Sequence, residues 1–324
     1  MQSETTTIRE EKSGSTISRS SHRKKSLFKQ YVKNRYLFYM LIPVLAFYII
    51  FHYGPMYGIV IAFKDFYPLR GILGSPWVGL KHFHEVFSGL FFWDVFRNTI
   101  IISSYKLIFG FPAPIILALL INEVRHMGFK KTIQTVTYLP HFISWVVLAG
   151  IFIEFLSPSR GPINVILQSM GQKPVYFLGD PRLFRGVIVS TSIWKEIGWG
   201  TIIYLAAMSG VDPELYDVAE LDGAGRFQKM WNITLPSILP VIVIMLIFSA
   251  GSIINDDFDQ IFNLLNNSVM QVGDVISTYV YREGLTKMNY SYATAVGLFK
   301  NIISFALVLL TNSIARKTSE YSIW

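Results

Sequence analysis

The amino-acid sequence predicts an all-α, polytopic membrane protein with about six transmembrane helices, and three observations lead to this prediction. The chain has 324 residues, of which 52% are hydrophobic and 15% are charged, and its mean hydropathy is +0.40. It is therefore too apolar for a soluble domain and too long for a single membrane span. The hydrophobic residues gather in six runs, and Lys and Arg are unevenly distributed among the segments that join these runs. Both features are typical of a multi-pass membrane protein.

Each of the six runs is long enough to cross a membrane, because a hydrocarbon core of about 30 Å needs roughly 20 apolar residues in a helix. The runs cover residues 37–63, 96–121, 132–156, 184–207, 236–254 and 291–313. Prolines lie within or beside them at Pro43, Pro112, Pro114, Pro140 and Pro240. Neighbouring helices can satisfy the carbonyl groups that proline leaves without a donor, so we expect kinked helices around a cavity.

An even number of spans puts both termini on one side of the membrane, and the basic residues indicate which side. The segments on the side of the termini hold 16 Lys and Arg residues, and the segments on the other side hold 8. Because cytoplasmic segments are enriched in Lys and Arg, we predict that both termini are cytoplasmic.

The sequence divides into a membrane domain, residues 36–316, between two cytoplasmic tails, residues 1–35 and 317–324. The first tail is polar, carries nine Lys and Arg residues and is predicted to be disordered. Such a tail fits anionic lipid headgroups just inside a first span. Binding of nucleic acid by Arg23, Lys24 and Lys25 is disfavoured, because this basic run is isolated and has no interleaved aromatic residues. The chain has no cysteine, so disulfides and thiolate metal sites are excluded.

The segment 208–235, between the fourth and fifth runs, reads as a bent pair of short helices on the inner membrane surface. Asp212 and Pro213 are a typical helix start, and they predict a helix from Pro213 to about Leu221. Gly223 and Gly225 then supply a sharp turn, and a second helix follows over residues 226–234. The segment holds five acidic and two basic residues, although inner loops are expected to be basic. This inversion predicts a basic partner.

The same segment resembles the cytoplasmic coupling loop of binding-protein-dependent ABC importers. The family pattern is E-A-A-x-x-D-G-A, followed by I-x-x-P and then x-x-x-P. The matching positions are Asp217-Val218-Ala219, Asp222-Gly223-Ala224, Ile233, Pro236 and Pro240. The chain departs from the pattern at Asp217, where Glu is usual, at Val218, where Ala is usual, and at Met230, where Phe is usual.

Other segments of the chain resemble the permease subunits of carbohydrate importers. They are Phe51–Phe66, Gly74–Phe83, Phe109–Val124, Thr137–Val147, Ser192–Met208 and Ala293–Ile303. The similarity is greatest to the branch that takes up complex oligosaccharides and polysaccharide fragments, including acidic ones such as alginate. It implies the type I ABC importer permease fold in a bacterial cytoplasmic (inner) membrane.

The resemblance also implies an assembly with several partners. They are a second, homologous permease subunit, two copies of a cytoplasmic ATP-binding subunit and an extracytoplasmic sugar-binding protein. The coupling loop would contact the ATP-binding subunit through Leu215, Asp217, Ala219, Leu221, Asp222, Gly223 and Ala224, with Pro236 and Pro240 shaping the entry into the next span. The chain has no G-x-x-x-x-G-K-[ST] loop, so ATP and Mg would be used by the partner and this chain would bind no cofactor.

Ionisable side chains within spans are costly and usually face a cavity or a partner. The candidates for a substrate pathway are Lys106, Lys195, Glu196 and Lys300, with Trp194 and Trp199, and the acidic residues Asp256, Asp257 and Asp259. Indole rings pack on sugar rings while polar groups bond hydroxyls. The alternatives stay open: an intramembrane Lys195–Glu196 ion pair, lysines that reach towards the membrane surface, and aspartates that are solvated, bind a cation or contact the binding protein. His141, a lone polar group near a span, is read as a hydrogen-bonded structural histidine or as part of a gate.

Two other functions compete with that of an importer subunit. An integral-membrane enzyme acting on lipid-linked or surface polysaccharide would need a nucleophile with its base, a carboxylate pair or a set of metal ligands, and no such motif is present. A secondary transporter with inverted repeats is not indicated by the hydropathy pattern. We therefore expect a transport subunit with no catalytic residues and no metal site.

Overall fold

The computed structural model describes residues 35–251, 254 and 257–318, so the predicted tail up to residue 34, Asp256 and the last six residues lie outside the described part. The described residues are helical, with no β-strand beyond an isolated antiparallel bridge between Lys64 and Trp77. The α-helices are α1 Arg35–Tyr48, α2 Gly54–Met56, α3 Gly71–Gly74, α4 Lys81–Ser88, α5 Leu90–Tyr105, α6 Pro112–Asn122, α7 Met127–Tyr138, α8 Trp145–Phe155, α9 Pro162–Ser169, α10 Pro181–Ser209, α11 Pro213–Leu221, α12 Arg226–Lys229, α13 Leu235–Gly251, α14 Phe258–Leu264, α15 Met270–Gly273, α16 Ile276–Tyr281 and α17 Tyr290–Thr318. The all-α prediction is confirmed.

Wider and tighter helical turns join several of these helices without interrupting them. Turns of π-helix occupy Ile49–Tyr53, Lys106–Gly110, Met230–Thr234 and Arg282–Thr286, and 3-10 turns occupy Tyr57–Phe63, Leu139–Phe142 and Asn267–Val269. Two of the π-turns end two residues before a proline, at Pro112 and at Pro236. A proline has no N–H to donate, so the wider turn absorbs the missing bond of the ladder.

Each of the six predicted spans is largely helical in the residues that the structure describes. Among those residues, four helical stretches are long and apolar enough to cross a membrane, namely Arg35–Phe63, Leu90–Asn122, Arg226–Gly251 and Tyr290–Ile314. Helix α10 has the length of a span, about 43 Å at 1.5 Å per residue. It carries Lys195 and Glu196 near its middle, and it is not among the four apolar stretches.

The third predicted run is not a single straight helix. Met127–Phe142 and Trp145–Phe155 together have the length and composition of a span, but their axes differ in direction by 105°. Pro140 ends the first part in a 3-10 turn, and Ile143 and Ser144 are extended. Ser144 then caps α8 by accepting a hydrogen bond from the backbone N–H of Val147. The continuous hydropathy of residues 132–156 gave no sign of this break.

The chain divides into two compact units, residues 1–57 and 58–324. In the first unit, the described residues form the helical run of α1, a π-turn and α2, whose side chains are largely exposed. The second unit holds three clusters of buried apolar side chains, centred on Phe184, Phe92 and Tyr204. Exposed apolar side chains on the long helices are expected where a helix faces lipid rather than water.

The segment 258–281 folds back onto the spans and is held there by buried polar groups. Asn98, buried in α5, donates to the carbonyl oxygen of Gln271 at 2.9 Å and accepts from Arg185 at 2.7 Å. Gln260, which is completely buried, donates to the carbonyl oxygen of Ile188 at 2.7 Å and to the hydroxyl of Thr191 at 2.9 Å. These bonds fix the first helix of the segment, α14, against α10.

The close approach of α10 to α7 depends on Gly198. A Cβ atom built on Gly198 would lie 2.0 Å from the carbonyl oxygen of Thr137, which is a backbone atom and cannot move aside. We expect Gly198→Ala to lower the free energy of unfolding by about 1–3 kcal/mol or more, as overpacking does. The measurement is the thermal unfolding midpoint of the detergent-purified protein.

The matched control is Gly186→Ala, in the same helix, where a Cβ would meet no atom within 4 Å. This variant should unfold at the wild-type temperature or slightly above, because Ala is the better helix former. Equal midpoints for the two variants would show that α7 and α10 are not in contact at Gly198.

Candidate functional site

The loop between α10 and α13 forms the predicted bent pair of helices, with the first helix bounded as expected at Pro213 and Leu221. Asp212 caps its start by accepting from the backbone N–H of Glu214 at 3.0 Å. Its end is a Schellman motif, because Ala224 N–H donates to the carbonyl oxygen of Ala219 at 2.8 Å and Gly223 N–H donates to that of Glu220 at 3.0 Å. Gly223 has the positive φ, +79°, that this motif requires.

Two side-chain contacts join the two arms of the loop. The hydroxyl of Tyr216 lies 2.9 Å from that of Thr234, and Lys229 donates to the carboxylate of Glu220 at 2.7 Å. The hydrogen bond and the charge of Lys229 lower the pKa of Glu220 below its usual value. Hydrogen bonds thus join the two halves of the loop at two points. The loop can therefore move as a single body with the start of α13.

The outward face of this loop carries apolar side chains that its own chain does not cover. Leu215, Val218 and Leu221 are 49%, 58% and 89% exposed, and Phe227 on the second arm is 82% exposed. This apolar face could have been predicted from the sequence, since these residues recur at helical spacing among polar ones. Val218 and Phe227 are additions to the predicted contact set.

The predicted coupling residues divide between the outward face and the chain's own interior. Leu215, Asp217, Asp222 and Gly223 are exposed, whereas Ala219 and Ala224 are half-buried. Pro236 is exposed at the start of α13, and Pro240 is half-buried inside it. We therefore keep the four exposed residues as candidate contacts, and we interpret the two alanines as residues that shape the turn.

A cavity of about 370 Å³ lies among the long helices, and it brings three of the predicted pathway residues together. Lys106, Glu196 and Asp257 line it, alongside apolar and small side chains from α5, α6, α10 and α13 that include Phe111, Pro114, Tyr204 and Met245. These three residues are far apart in sequence. The packing of α14 against α10 brings their side chains to the wall of one cavity.

Lys106 donates two short hydrogen bonds at this cavity. Its ammonium group lies 2.7 Å from the carboxylate of Asp257 and 2.6 Å from the amide oxygen of Gln260. The lysine side chain is 17% exposed and that of Asp257 is 49% exposed. Gln260 was not singled out in the sequence analysis, because a lone Gln in a short helix has no pattern that distinguishes it.

Lys195 stabilises the break in the third span and does not line the cavity. It is buried, and its ammonium group donates to the carbonyl oxygen of His141 at 2.6 Å, just before the break. The same group lies 5.8 Å from the centre of the Trp145 ring and 3.6 Å from the Glu196 carboxylate. A cation at the carboxyl end of a helix satisfies an orphan carbonyl and the local dipole.

Glu196 links the cavity to the break in the helix. Its carboxylate accepts from Nδ1 of His141 at 2.8 Å, and the His141 ring stacks on Trp199 with a centroid distance of 4.4 Å. His141 is therefore hydrogen-bonded and stacked, in agreement with its interpretation as a structural histidine. Trp199 does not line the cavity, and neither does Trp194, which packs edge-on against Phe152.

The remaining predicted pathway residues lie elsewhere. Lys300 donates to the hydroxyl of Ser277 at 2.6 Å, beside a second cavity of about 480 Å³. Asp259 is exposed on α14 and does not line the first cavity, and Asp256 is outside the described residues. Among the described residues, no group of three or more His, Cys, Asp and Glu side chains is arranged to hold a metal ion.

Comparison with known proteins gives a family match over most of the chain. Residues 110–320 match the family described as "binding-protein-dependent transport system inner membrane component". The match includes α10, the loop with its two short helices, the cavity-lining residues of α6, α10 and α13, and Asp257.

Three similar proteins extend this comparison to nearly the whole chain. The polygalacturonan/rhamnogalacturonan transport system permease protein YteP of Bacillus subtilis is 43% identical over 302 residues, which cover 93% of this chain and 94% of that protein. A crystal structure of a bacterial ABC transporter involved in the import of the acidic polysaccharide alginate contains a chain with 42% identity and a TM-score of 0.84, covering 90% of this chain and 99% of that one. A crystal structure of bacterial alginate ABC transporter in complex with alginate pentasaccharide-bound periplasmic protein has a chain with 40% identity and a TM-score of 0.85, covering 92% and 99%.

The stabilising role of Lys195 at the break can be tested by removing its charge. We expect Lys195→Met to destabilise the protein by about 1–3 kcal/mol, because the carbonyl group of His141 loses its donor in a buried place. The thermal unfolding midpoint in detergent reports the loss. The comparison variant is Arg160→Met, which breaks an ion pair with Glu154 whose members are both more than 60% exposed, and it should unfold at the wild-type temperature. A midpoint for Lys195→Met equal to that of Arg160→Met would contradict the role.

Proposed function

The chain belongs to the family of binding-protein-dependent transport system inner membrane components, and on this premise we propose that it is the translocation subunit of an ATP-driven importer of oligosaccharides or polysaccharide fragments. It works by alternating access and is coupled to a separate ATPase through the loop from Asp212 to Pro236. The names of the similar proteins, which concern polygalacturonan, rhamnogalacturonan and alginate, support this substrate class.

One observation carries the coupling role: the loop is held together by its own hydrogen bonds, yet it exposes apolar side chains on its outward face. The ends of its first helix are capped, and hydrogen bonds of Tyr216 and Glu220 join its two halves. Leu215, Val218 and Leu221 nevertheless remain exposed beside Asp217. Apolar side chains exposed in a cluster mark an interaction surface. The neighbouring carboxylates suit a partner that presents basic side chains or backbone N–H groups.

The partner that fits this surface is a cytoplasmic ATP-binding subunit, in two copies per assembly. ATP and Mg act there, and this chain binds neither. The rest of the assembly comprises a second permease subunit, which completes the pathway, and an extracytoplasmic binding protein that delivers the sugar. A structure of an alginate transporter with its periplasmic protein supports the last of these.

The loop and both termini lie in the cytoplasm under this proposal. The excess of Lys and Arg in the segments that share a side with the termini supports the orientation. A membrane enzyme that acts on polysaccharide is the alternative, and no observation favours it, since the family consists of transport components.

The turn at Gly223 is the first test of coupling. Valine is strongly disfavoured at φ +79°, so Gly223→Val should distort the end of α11, at a cost of roughly 1–3 kcal/mol in local strain. We expect ATP hydrolysis by the reconstituted complex to lose most of its stimulation by the binding protein. Gly223→Asn should retain it, because Asn tolerates this conformation.

The matched control for this variant is Gly171→Val. Gly171 has a similar φ, +75°, and like Gly223 it has no atom within 4 Å of a built Cβ, but it lies in a loop predicted to face the outside. Stimulation should survive there. If the two valine variants lose stimulation to the same degree, the turn at Gly223 has no special part in coupling.

Charge reversal on the loop tests the contact itself. Asp217→Lys combined with Asp222→Lys should reduce the amount of ATP-binding subunit that co-purifies with the permease, because like charges would face each other across the contact. The control replaces two exposed carboxylates on the predicted outer side, Asp94→Lys in the segment 64–95 with Glu154→Lys at the outer end of the third run, and changes the net charge equally. Co-purification that is reduced equally by both pairs would point to net charge rather than to this surface.

A further inference from the structure

The ammonium group of Lys106 has one fixed partner and one exchangeable partner, and from this asymmetry we propose that Lys106 is the contact for a carboxylate of an acidic sugar. Asp257 occupies the place of that carboxylate when no sugar is bound. This inference rests on the proposed importer function and adds the charge class of the substrate and the residue that selects it.

The fixed partner is Gln260. It is completely buried, and its amide N–H groups are held by the carbonyl oxygen of Ile188 and the hydroxyl of Thr191 on α10. Its amide oxygen is thereby aimed at Lys106, at 2.6 Å. Gln260 is a positioning residue, because it keeps the ammonium group at the cavity wall whichever anion is bound.

The exchangeable partner is Asp257. Its side chain is about half exposed, at 49%, and it lies at the residue just before α14, where no further side-chain bond is seen among the described residues. A carboxylate that is already half solvated loses little when it leaves a single lysine. Lys106 also has a third N–H to offer, since an ammonium group carries three donors and two are used here.

The other charged groups of the cavity leave this position as the place for an anion. Among the described residues of the lining, Lys106, Glu196 and Asp257 carry a charge, and Lys106 is the one cation of the three. Glu196 is paired with His141 at 2.8 Å and lies 3.6 Å from Lys195, so its charge is balanced away from Lys106. A sugar carboxylate would replace one carboxylate by another on the same ammonium group.

A neutral sugar makes no such exchange. To reach Lys106 it would have to replace a charged acceptor by a hydroxyl or an ester, which is a weaker partner for an ammonium group. The arrangement therefore favours acidic over neutral sugars of the same shape. The π-turn that begins at Lys106 widens the helix at this point, as is frequent at functional positions.

The test compares one sugar with and without its charge. Trigalacturonate and its fully methyl-esterified form are added to the complete transporter in lipid nanodiscs, and the concentration of each that gives half-maximal thermal stabilisation is measured. Wild type should need less of the acid than of the ester. Lys106→Gln should raise the half-maximal concentration of the acid by about tenfold or more, the range for one charge-assisted hydrogen bond, and leave that of the ester nearly unchanged.

Asp257→Asn should act in the opposite direction, because it removes the competing carboxylate. We expect the half-maximal concentration of trigalacturonate to fall several-fold. Asp259→Asn removes the same charge from α14 two residues away, outside the cavity lining, and should leave both concentrations at wild-type values. A purely structural ion pair predicts instead that Lys106→Gln and Asp257→Asn both lower the unfolding midpoint without sugar and leave the ratio of acid to ester unchanged.

Two results overturn the inference: wild type that does not prefer the acid, including wild type that responds to neither sugar, or a ratio that neither variant changes. The proposed importer function is tested separately in the same preparations by the amount of ATP-binding subunit that stays with the permease, which depends on the loop 212–236 and not on Lys106. Loss of that subunit in wild type would contradict the importer function, whereas its retention with an unchanged ratio would contradict only the role of Lys106.

Discussion

At membrane depth, every polar group of a chain must find its partner within protein, and this constraint governs the structure around the cavity. The break at Ile143 and Ser144 leaves carbonyl groups without helical donors, and Lys195 supplies a donor to the one at His141. Lys106 is held in the same manner by Gln260 and Asp257. The charges that look costly in the sequence are therefore what allows helices to bend and pack around an open space.

The loop from Asp212 to Pro236 follows the opposite rule, since it leaves polar and apolar groups on its outward face without partners in the part of the chain that the structure describes. Internally it is well satisfied, with a cap at Asp212, a Schellman motif at Gly223 and cross-links from Tyr216 and Glu220. A loop that is held together by internal hydrogen bonds and exposes a contact face is suited to transmit the motion of a partner to α13. Contact with a partner would be the step that covers Val218 and Leu221.

Much of this fold follows from the sequence, because its signals are local. The six apolar runs are largely helical, and Asp212, Pro213 and Gly223 set the bounds of α11 through capping and backbone preference alone. Pro140 predicts a kink in the third run but not a 105° break, since hydropathy is continuous across residues 132–156 and the carbonyl group at the break is satisfied by a lysine from another helix. Lys195 and Glu196 are adjacent in sequence, yet only Glu196 reaches the cavity, because side chains one residue apart lie on different faces of a helix. Gln260 depends on long-range contacts to Ile188 and Thr191, which no periodicity encodes.

We propose that the outward face of the loop lies in the cytoplasm and is covered by an ATP-binding subunit. The chain has no cysteine, so Leu221→Cys introduces a single thiol at a side chain that is 89% exposed. The decisive measurement is the reaction of this thiol with a membrane-impermeant maleimide in right-side-out and in inverted vesicles, with and without the ATP-binding subunits. We expect labelling in inverted vesicles alone, and protection when those subunits are present. Labelling from the outside, or labelling that the subunits do not change, would contradict it.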